Sequence, residues 1–378
     1  MQATILCSRG LGELAAREIE AVVGVKAQIL LPQITDRLVS FDASLEGIAK
    51  CAYRSQLAQS VLILLGRSSH PQDTQSALEG LVVNADISLL ADDKSFCVRV
   101  EKVEWDAFPS QELERLTGEL MLKRKSLKVN LKDPDFLVKL IVTPSELLLC
   151  LDTAKDDLSK RDYKIFSGAD PFKATTAAGF ALFAGFDHKK VVVDLLCGAG
   201  LLGIESALIA QGRSPHFFHK ERFLFSRWAI DIDWDEQFDL WDRDIKERPL
   251  NLRSLDANNR NVESGKKNAK IAGVIKSISF ARIDPQWLDV KFEESSVDLL
   301  YALVNLPGRT PKDVDKWYDE FFYQGEFILK SSATAALLTR QPELAKPFAQ
   351  KRRFKFHKEL QIFQGGDSWT ALAWKCAK

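Results

Sequence analysis

KVVVDLLCGAGLLGIE, residues 190–205, is the stretch of this sequence that decides the fold. Three valines run into Asp194, a turn with two glycines follows, and the residues after it are mostly apolar. A continuous apolar run bounded by glycines is typical of a strand that is buried on both faces. The stretch therefore predicts a strand–turn–helix unit in a mostly parallel sheet with helices on both faces.

The turn after this strand predicts a ligand site. Gly198 and Gly200 let the backbone pass close to a ligand, and the start of the next helix presents main-chain N–H groups. Asp194, at the end of the strand, suits a ligand that carries an amine rather than a pyrophosphate. S-adenosylmethionine is such a ligand, and we expect it to bind here.

Two other interpretations of this turn stay open. Gly198, Gly200 and Gly203 also form the G-x-G-x-x-G pattern of dinucleotide sites, which needs an acid about 20 residues later at a strand end. Residues 217–222 do not resemble a strand end, and an acid in that position first occurs at Asp256. The third interpretation is a glycine turn that only packs the helix on the strand. The methyl-donor site is favoured over both.

Length and composition indicate a soluble globular protein of two or three domains. The chain has 378 residues, of which 46% are hydrophobic and 28% are charged, and this length exceeds one small core. Its 52 basic and 52 acidic residues balance, so any nucleic-acid surface must be a local patch. With six scattered cysteines and no C-x-x-C pair, we expect a cytoplasmic protein without membrane segment or metal.

Two regions of the chain differ in their pattern of elements. Residues 3–152 predict an α+β unit, which includes apolar residues at helical spacing over 47–65. Residues 153–168 are polar and lack apolar periodicity, as a linker does. From residue 170 strands and helices alternate, with an insertion at 213–250 that is rich in Phe, Trp, Asp and Arg. Two strands at the C-terminus predict an antiparallel sheet edge.

Several motifs along the chain share their order and spacing with one known family. They are SRGLGELAAREIEAVVG (8–24), CAYRSQLAQSVLILL (51–65), KVNLKDPDFLVKLIVTPSELLLCLDTA (128–154), PFKATTAA (171–178), SLDANNRNVESGKKNAKIAGV (254–274) and KELQIFQGGDSWTALAW (358–374). Together with the turn after Asp194, they resemble the THUMP-domain RNA methyltransferases. That family includes bacterial 23S rRNA and archaeal tRNA guanine-N2 methyltransferases, and the likeness runs nearly from end to end.

The resemblance implies an α/β fold, with a Rossmann-like methyltransferase domain after an N-terminal α+β ferredoxin-like and THUMP unit. The implied bounds are 1–60 for the ferredoxin-like region, 61–155 for the THUMP RNA-binding domain, 156–169 for a linker and 170–378 for the methyltransferase domain. The implied cofactor is S-adenosylmethionine. The candidate cofactor-binding residues are Thr175, Asp194, Cys197, Gly198, Gly200, Asp256 and Asp284. By the resemblance, Asp256 binds the ribose hydroxyls and Asp284 faces the adenine amino group.

The loop VNLPGR, residues 304–309, matches the catalytic loop of the family in part. Asn305 and Pro307 match its NLPYG or NPPYG motif and are the candidate catalytic residues. We expect Asn305 to accept a hydrogen bond from the exocyclic N2 of a guanosine in tRNA or rRNA, which aligns that nitrogen with the methyl group. The stacking aromatic of the motif is missing, and Phe172 or an aromatic of residues 217–228 is a candidate replacement. The alternative is an impaired family member that binds RNA as an assembly factor.

A cationic run predicts where the expected partner, RNA, is contacted. The candidates are Lys123, Arg124, Lys125, Lys128, Lys132, Lys160, Arg161 and Lys164. Several phosphate contacts would give an affinity that is independent of sequence and sensitive to salt. The sequence does not determine the oligomeric state, for which a monomer is expected.

Overall fold

The computed structural model of this chain describes residues 1–69, 74–166, 171–306 and 308–378. The contacts in it divide the chain into two compact units. Unit 1 contains Met1–Leu158 and His216–Arg243, and unit 2 contains Ser159–Pro215 and Asp244–Lys378. The chain thus enters unit 2 at Ser159, leaves it after Pro215 and returns at Asp244. The bounds of the ferredoxin-like, THUMP, linker and methyltransferase regions stay predictions.

Strands and helices occur in both units. Among the described residues, the strands are β1 (Gln2–Leu6), β2 (Ala27–Leu31), β3 (Thr35–Asp42), β4 (Ser60–Ser69), β5 (Ser95–Lys102), β6 (Lys128–Val129), β7 (Phe136–Val142), β8 (Glu146–Asp152), β9 (Val192–Leu195), β10 (Leu252–Asp256), β11 (Ser279–Arg282), β12 (Val297–Leu303), β13 (Leu329–Thr339), β14 (Phe354–Gln364) and β15 (Asp367–Cys376). The α-helices are α1 (Gly12–Val23), α2 (Leu45–Arg54), α3 (Thr74–Asn84), α4 (Ser110–Arg124), α5 (Ala174–Ala184), α6 (Leu201–Gln211), α7 (Trp234–Asp242), α8 (Asn259–Ile271), α9 (Leu288–Lys291), α10 (Pro311–Ile328) and α11 (Pro342–Gln350).

Unit 1 is an α+β structure built on one mixed sheet. Its strands lie in the order β2-β3-β1-β4-β8-β7-β5-β6. β5 pairs in parallel with β6 and β7, and the other neighbours pair antiparallel. This mixed sheet agrees with the α+β unit that the sequence predicted for the N-terminal part of the chain.

The segment 47–65 is not one helix, so the expectation from its apolar spacing was wrong. α2 ends at Arg54, Ser55 is extended, and β4 begins at Ser60. The Glu18 carboxylate accepts hydrogen bonds from the Ser55 hydroxyl and from the main-chain N–H of Gln56 (2.7 Å), which fixes the turn. The apolar run that follows lies on β4 between β1 and β8, where burial on both faces gives consecutive apolar residues without alternation.

Residues 216–243 pack in unit 1, although the sequence predicted an insertion within the second domain. The Tyr53 hydroxyl donates to Asp242 (2.7 Å), and its ring centroid lies 4.9 Å from that of Phe238. The buried aromatics of this segment include Phe223, Phe225 and Trp228. Because these three rings form part of the core of unit 1, they are not available to stack on a base, whereas Phe218 of the same segment is exposed and stays a candidate.

Unit 2 confirms the predicted Rossmann-like architecture. Its strands lie in the order β11-β10-β9-β12-β13-β15-β14. The first five pair in parallel, whereas β15 pairs antiparallel with β13 and β14. The C-terminal hairpin thus forms the antiparallel edge that the sequence predicted. Parallel strands end at one edge of a sheet, so the residues after β9, β10, β11 and β12 meet there.

Helix α10 packs on this sheet and fixes the position where the preceding loop ends. Thr310 and Asp313 form a capping box at its start, and Pro311 occupies the first turn. Tyr318, Phe321 and Phe322 pack in the core of unit 2 with residues of β12 and β13. The cap and the buried aromatic face therefore fix the end of the loop at 304–309.

The described residues carry two further general features. All six cysteines are free and buried. None of the helices in the described part of the chain is long and apolar enough to cross a membrane.

Candidate active site

The turn after β9 is held in a left-handed backbone conformation at three positions. Leu196 has φ +69°, Gly198 +52° and Gly200 +83°. Glycine adopts such angles without cost, whereas a leucine there is strained and persists only because its surroundings enforce it. The turn delivers the chain to α6, whose N-cap is Gly200.

Glycine is required at positions 198, 200 and 203 for different structural reasons. A Cβ on Gly200 would lie 2.9 Å from the Cα of Gly265 in α8, and a Cβ on Gly203 would overlap the Ser254 hydroxyl. These two glycines therefore allow α6 to pack against α8 and β10. A Cβ on Gly198 would meet no described atom within 4 Å, so this glycine serves the backbone conformation and leaves open space beside the turn.

Asp194 and Cys197 lie beneath the turn. Asp194 is 1% exposed, and its carboxylate accepts the Ser254 hydroxyl at 2.9 Å. Burial raises the pKa of the Cys197 thiol well above its ordinary value, and the negative charges of Asp194 and Asp256 raise this pKa further. Cys197 is thus a protonated packing residue and not a nucleophile. Direct contact of either residue with a cofactor stays a prediction.

Asp256 joins the end of β10 to the turn after β9. Its carboxylate accepts the main-chain N–H of Gly198 at 3.0 Å, that of Asn258 at 2.8 Å and the side-chain amide of Asn261 at 3.0 Å. A carboxylate offers about four acceptor positions, so these three bonds leave capacity for a ligand hydroxyl. The main-chain N–H groups of Gly198 and Gly200 are bonded within the protein. Any contact of these glycines with a ligand would therefore be close approach of the backbone.

A cavity of about 500 Å³ lies at this edge of the sheet and brings three of the predicted residues together. Asp256 ends β10, Asp284 follows β11 and Asn305 follows β12. The remaining lining residues are Leu195, Leu196, Ala257, Asn258, Asn261, Ile283, Pro285, Gln286, Leu306, Arg309, Asp313, Lys316, Trp317 and Glu320. Asp284 is exposed at the rim and caps a short turn by accepting the Gln286 N–H at 3.2 Å. We call this space the donor cavity.

The residues of the donor cavity fit an adenosine carrying a cationic sulfonium. Asp256 retains acceptor capacity for a ribose hydroxyl, and Asp284 presents a carboxylate for an adenine amino group. The hydroxyl of Thr175, in the first turn of α5, is buried without a hydrogen-bond partner among the described residues. Thr175 does not line the donor cavity, so its contact with a cofactor stays a prediction.

Trp317 is a lining residue that the sequence prediction missed. It lies in α10, and its indole N–H is buried without a partner in the described part of the chain. Trp317 lies about two helical turns after the Thr310 cap, and residues at this spacing share one face of a helix. This spacing is a signal that could have indicated its place beside the 304–309 loop.

The loop after β12 forms the boundary of the donor cavity. The main-chain N–H of Val304 donates to the Leu338 carbonyl at 2.8 Å, which extends the pairing of β12 with β13. Asn305 is half-buried and also lines a second cavity of about 220 Å³. Pro307, the other predicted catalytic residue, lies outside the described residues. Asn305 is therefore positioned at a boundary shared by two cavities.

Comparison with known families decides the class of this protein. A family model described as "RMKL-like, methyltransferase domain" matches residues 161–369, more than half of the chain. The chain belongs to the RMKL-like methyltransferase family. A THUMP domain model matches residues 80–152 of this RMKL-like methyltransferase. The predicted combination of a THUMP domain with a methyltransferase domain is confirmed.

Two relatives differ in how much of their length is matched. The tRNA (guanine(6)-N2)-methyltransferase of Methanocaldococcus jannaschii is 28% identical over 372 residues, which cover 96% of each chain. The ribosomal RNA large subunit methyltransferase K/L of Aliivibrio fischeri is 24% identical over 294 residues, 73% of this chain and 40% of the relative. Both relatives are named as enzymes, which gives no support to the alternative of an impaired assembly factor.

Two solved structures share the fold of the RMKL-like methyltransferase. TrmN from Thermus thermophilus has a TM-score of 0.74 and 20% identity, with 99% of each chain covered. A methyltransferase complexed with SAH has a TM-score of 0.82 and 19% identity, with 100% of this chain and 98% of that chain covered. The likeness therefore extends over both units.

The predicted RNA contacts separate into exposed and internal cations. In unit 1, Lys123, Arg124, Lys128 and Lys132 are exposed and Lys125 is half-buried. The Arg124 guanidinium also donates to the Ala85 carbonyl at 2.9 Å. In unit 2, Lys160 is exposed and Lys164 is half-buried, with its ammonium bonded to the Phe172 carbonyl.

Arg161 is not available for RNA, so its prediction as an RNA contact was wrong. Its side chain is fully buried and forms an ion pair with Glu205 of α6 (Nε to Oε1, 3.2 Å). The Tyr163 hydroxyl donates to the same carboxylate. A charge in the interior requires a partner, and the polar sequence around Arg161 concealed this internal role.

Proposed function

We propose that this RMKL-like methyltransferase methylates the exocyclic N2 of a guanosine in tRNA, with guanosine 6 as the site to test first. The observation that carries the proposal is the place of Asn305, at the boundary between the donor cavity and the second cavity. The match over 96% of both chains to a tRNA (guanine(6)-N2)-methyltransferase supports tRNA over rRNA as the substrate. The rRNA relative extends well beyond the matched part.

The residues of the donor cavity would hold and orient the methyl donor. Asp256 is proposed to accept from the ribose hydroxyls and Asp284 from the adenine amino group, because both carboxylates line the cavity. Bound S-adenosylmethionine supplies a methyl group activated toward nucleophilic attack. Asn305 is proposed to accept one N–H of the guanine amine, which directs the nitrogen lone pair toward the donor cavity. Rate enhancement would then come mainly from proximity and alignment.

The exposed lysines of unit 1 are proposed to contact the RNA backbone. Lys123 lies in the last turn of α4, and Lys128 and Lys132 follow this helix along the chain. Lysine ammonium groups neutralise phosphates without reading sequence, so they would position the RNA while base contacts specify it. An RNA substrate also makes the cytoplasm the proposed location.

A methylation assay with tRNA transcripts tests the proposal. Transcripts that carry guanosine or inosine at position 6 are incubated with labelled donor, and the product nucleoside is identified by mass spectrometry. Inosine lacks the exocyclic amine, so label is expected only with guanosine, as N2-methylguanosine. Asn305→Ala is expected to lower the rate by about 100-fold or more while the affinity for the donor is kept. Asn259→Ala, an exposed asparagine at the start of α8, is the matched control.

Two results would contradict the proposal. Label in the inosine transcript would exclude guanosine 6 as the only acceptor, and a labelled nucleoside other than N2-methylguanosine would exclude the exocyclic amine. Methylation of 23S rRNA fragments without methylation of tRNA would replace tRNA by rRNA as the substrate.

A further inference from the structure

The second cavity shares one wall with the donor cavity. Asn305, Leu306 and Arg309 line both. From this wall the second cavity extends to the ends of β13 and β15, where Arg340, Gln341 and Trp369 contribute. Val304, Val314, Tyr318 and Thr339 complete the lining. Asn305 therefore lines two cavities. Asp256 and Asp284 line one of them, and Arg340 and Trp369 line the other.

Trp369 is the aromatic residue of this cavity, but its ring is covered. The side chain is 1% exposed, with the ring centroid of Phe172 at 4.3 Å and the Arg340 guanidinium carbon at 4.4 Å from its own centroid. Phe172, which the sequence offered as a stacking residue, is itself buried against Trp369. Neither ring has a free face for a nucleobase in this structure.

Arg340 presents an accessible planar group in this cavity. Its side chain is 48% exposed, lies over the Trp369 ring and forms an ion pair with Asp367. A guanidinium that rests on an indole and is held by a carboxylate has little rotational freedom to lose when a ligand binds. Guanidinium planes, like aromatic rings, stack on unpaired bases.

We propose that the guanidinium of Arg340, supported by Trp369, is the stacking surface for the target base in the second cavity. The inference rests on the proposed function, because it assigns this cavity to the guanine whose amine Asn305 would accept. It accounts for the sequence VNLPGR at 304–309, in which no aromatic is present. The stacking surface is then supplied by the end of β13 and not by the loop itself.

Binding measured without turnover tests this inference. Dissociation constants with SAH present are determined for two tRNA transcripts, one with guanosine 6 and one with an abasic site at position 6. Wild type is expected to prefer the guanosine transcript by about 5- to 150-fold, the range for stacking of one base. Arg340→Lys keeps the charge and removes the plane, so it is expected to bind both transcripts at the abasic level. Asp367→Asn keeps the plane and loosens it, and an intermediate preference is expected.

Three outcomes would overturn the inference. If the wild type binds both transcripts equally, no base is held in the second cavity. If Arg340→Lys keeps the full preference for the guanosine transcript, the positive charge alone explains the preference and the guanidinium plane is not needed. Loss of SAH affinity in Arg340→Lys, measured by calorimetry, shows a structural role. The methylation assay distinguishes a failure of this inference from a failure of the proposed function. Methylation with an unchanged Arg340→Lys preference contradicts only this inference, whereas an Arg340-dependent preference without methylation contradicts only the proposed function.

Discussion

The main-chain N–H of Gly198 donates to the Asp256 carboxylate at 3.0 Å. This bond ties the turn after β9 to the end of β10, so two parts of the site that are distant in sequence are positioned together. Asn261 donates to the same oxygen at 3.0 Å. Asp256 therefore has a structural role in the unliganded protein in addition to its proposed role toward the ribose.

Asp256→Asn is expected to weaken both the fold of the turn and the binding of the donor. The amide would present an N–H₂ group to donors that now face a carboxylate oxygen, and these donors are partly buried. We expect a loss of stability of about 1–3 kcal/mol. Urea unfolding and calorimetry with SAH measure the two effects. Asp284→Asn is the control, since this exposed residue should change affinity and leave stability within about 0.5 kcal/mol. Equal stability of both variants would contradict the structural role.

Gly203→Ala is expected to destabilise unit 2 by about 1–3 kcal/mol. The new Cβ would overlap the Ser254 hydroxyl, and Ser254 could move only by giving up its bond to the buried Asp194 carboxylate. Thermal unfolding compares this variant with Gly366→Ala, whose Cβ would meet no described atom within 4 Å. Ser254→Ala in the Gly203→Ala background should restore part of the loss, and its failure to do so would show that another clash dominates.

Local chemistry made the methyltransferase fold predictable from the sequence. Val192 and Val193 lie on β9, Asp256 ends β10 and Asn305 follows β12, and these two strands flank β9 on either side. Their place after apolar runs predicted this arrangement. These features depend on residues close together in sequence, which is why periodicity and glycine placement detect them. The family model over residues 161–369 confirms the class that they indicated.

Features that depend on distant contacts could not be predicted in this way. The turn at Ser55 is set by Glu18, and the burial of Arg161 depends on Glu205. Phe223 and Phe238 are in the core of unit 1 because the chain crosses back to it after Pro215. A polar or aromatic composition alone does not distinguish a surface loop from a segment that is buried by a remote partner.

Arg161→Ala and Lys160→Ala are expected to differ in their effect on stability although the two residues are adjacent. Removal of the Arg161 guanidinium leaves the Glu205 carboxylate buried and unpaired, at a cost of about 3–5 kcal/mol. Lys160 is exposed, so its removal should leave stability unchanged within about 0.5 kcal/mol. Hydrogen exchange of the α6 amides reports the local loss. Unchanged exchange in Arg161→Ala would contradict the internal role of this residue.

Replacement of Lys123, Lys128 and Lys132 by alanine is expected to weaken tRNA binding without changing the affinity for SAH. Each phosphate contact that is lost should lower the slope of log K against log salt by about 0.9 for duplex-like RNA. Filter binding over a range of salt concentrations measures this slope. The matched control is Arg115→Ala on the same helix, because this cation is already paired with Glu119 at 2.6 Å. An unchanged slope in the triple variant, or an equal change in the control, would place the RNA-binding surface elsewhere.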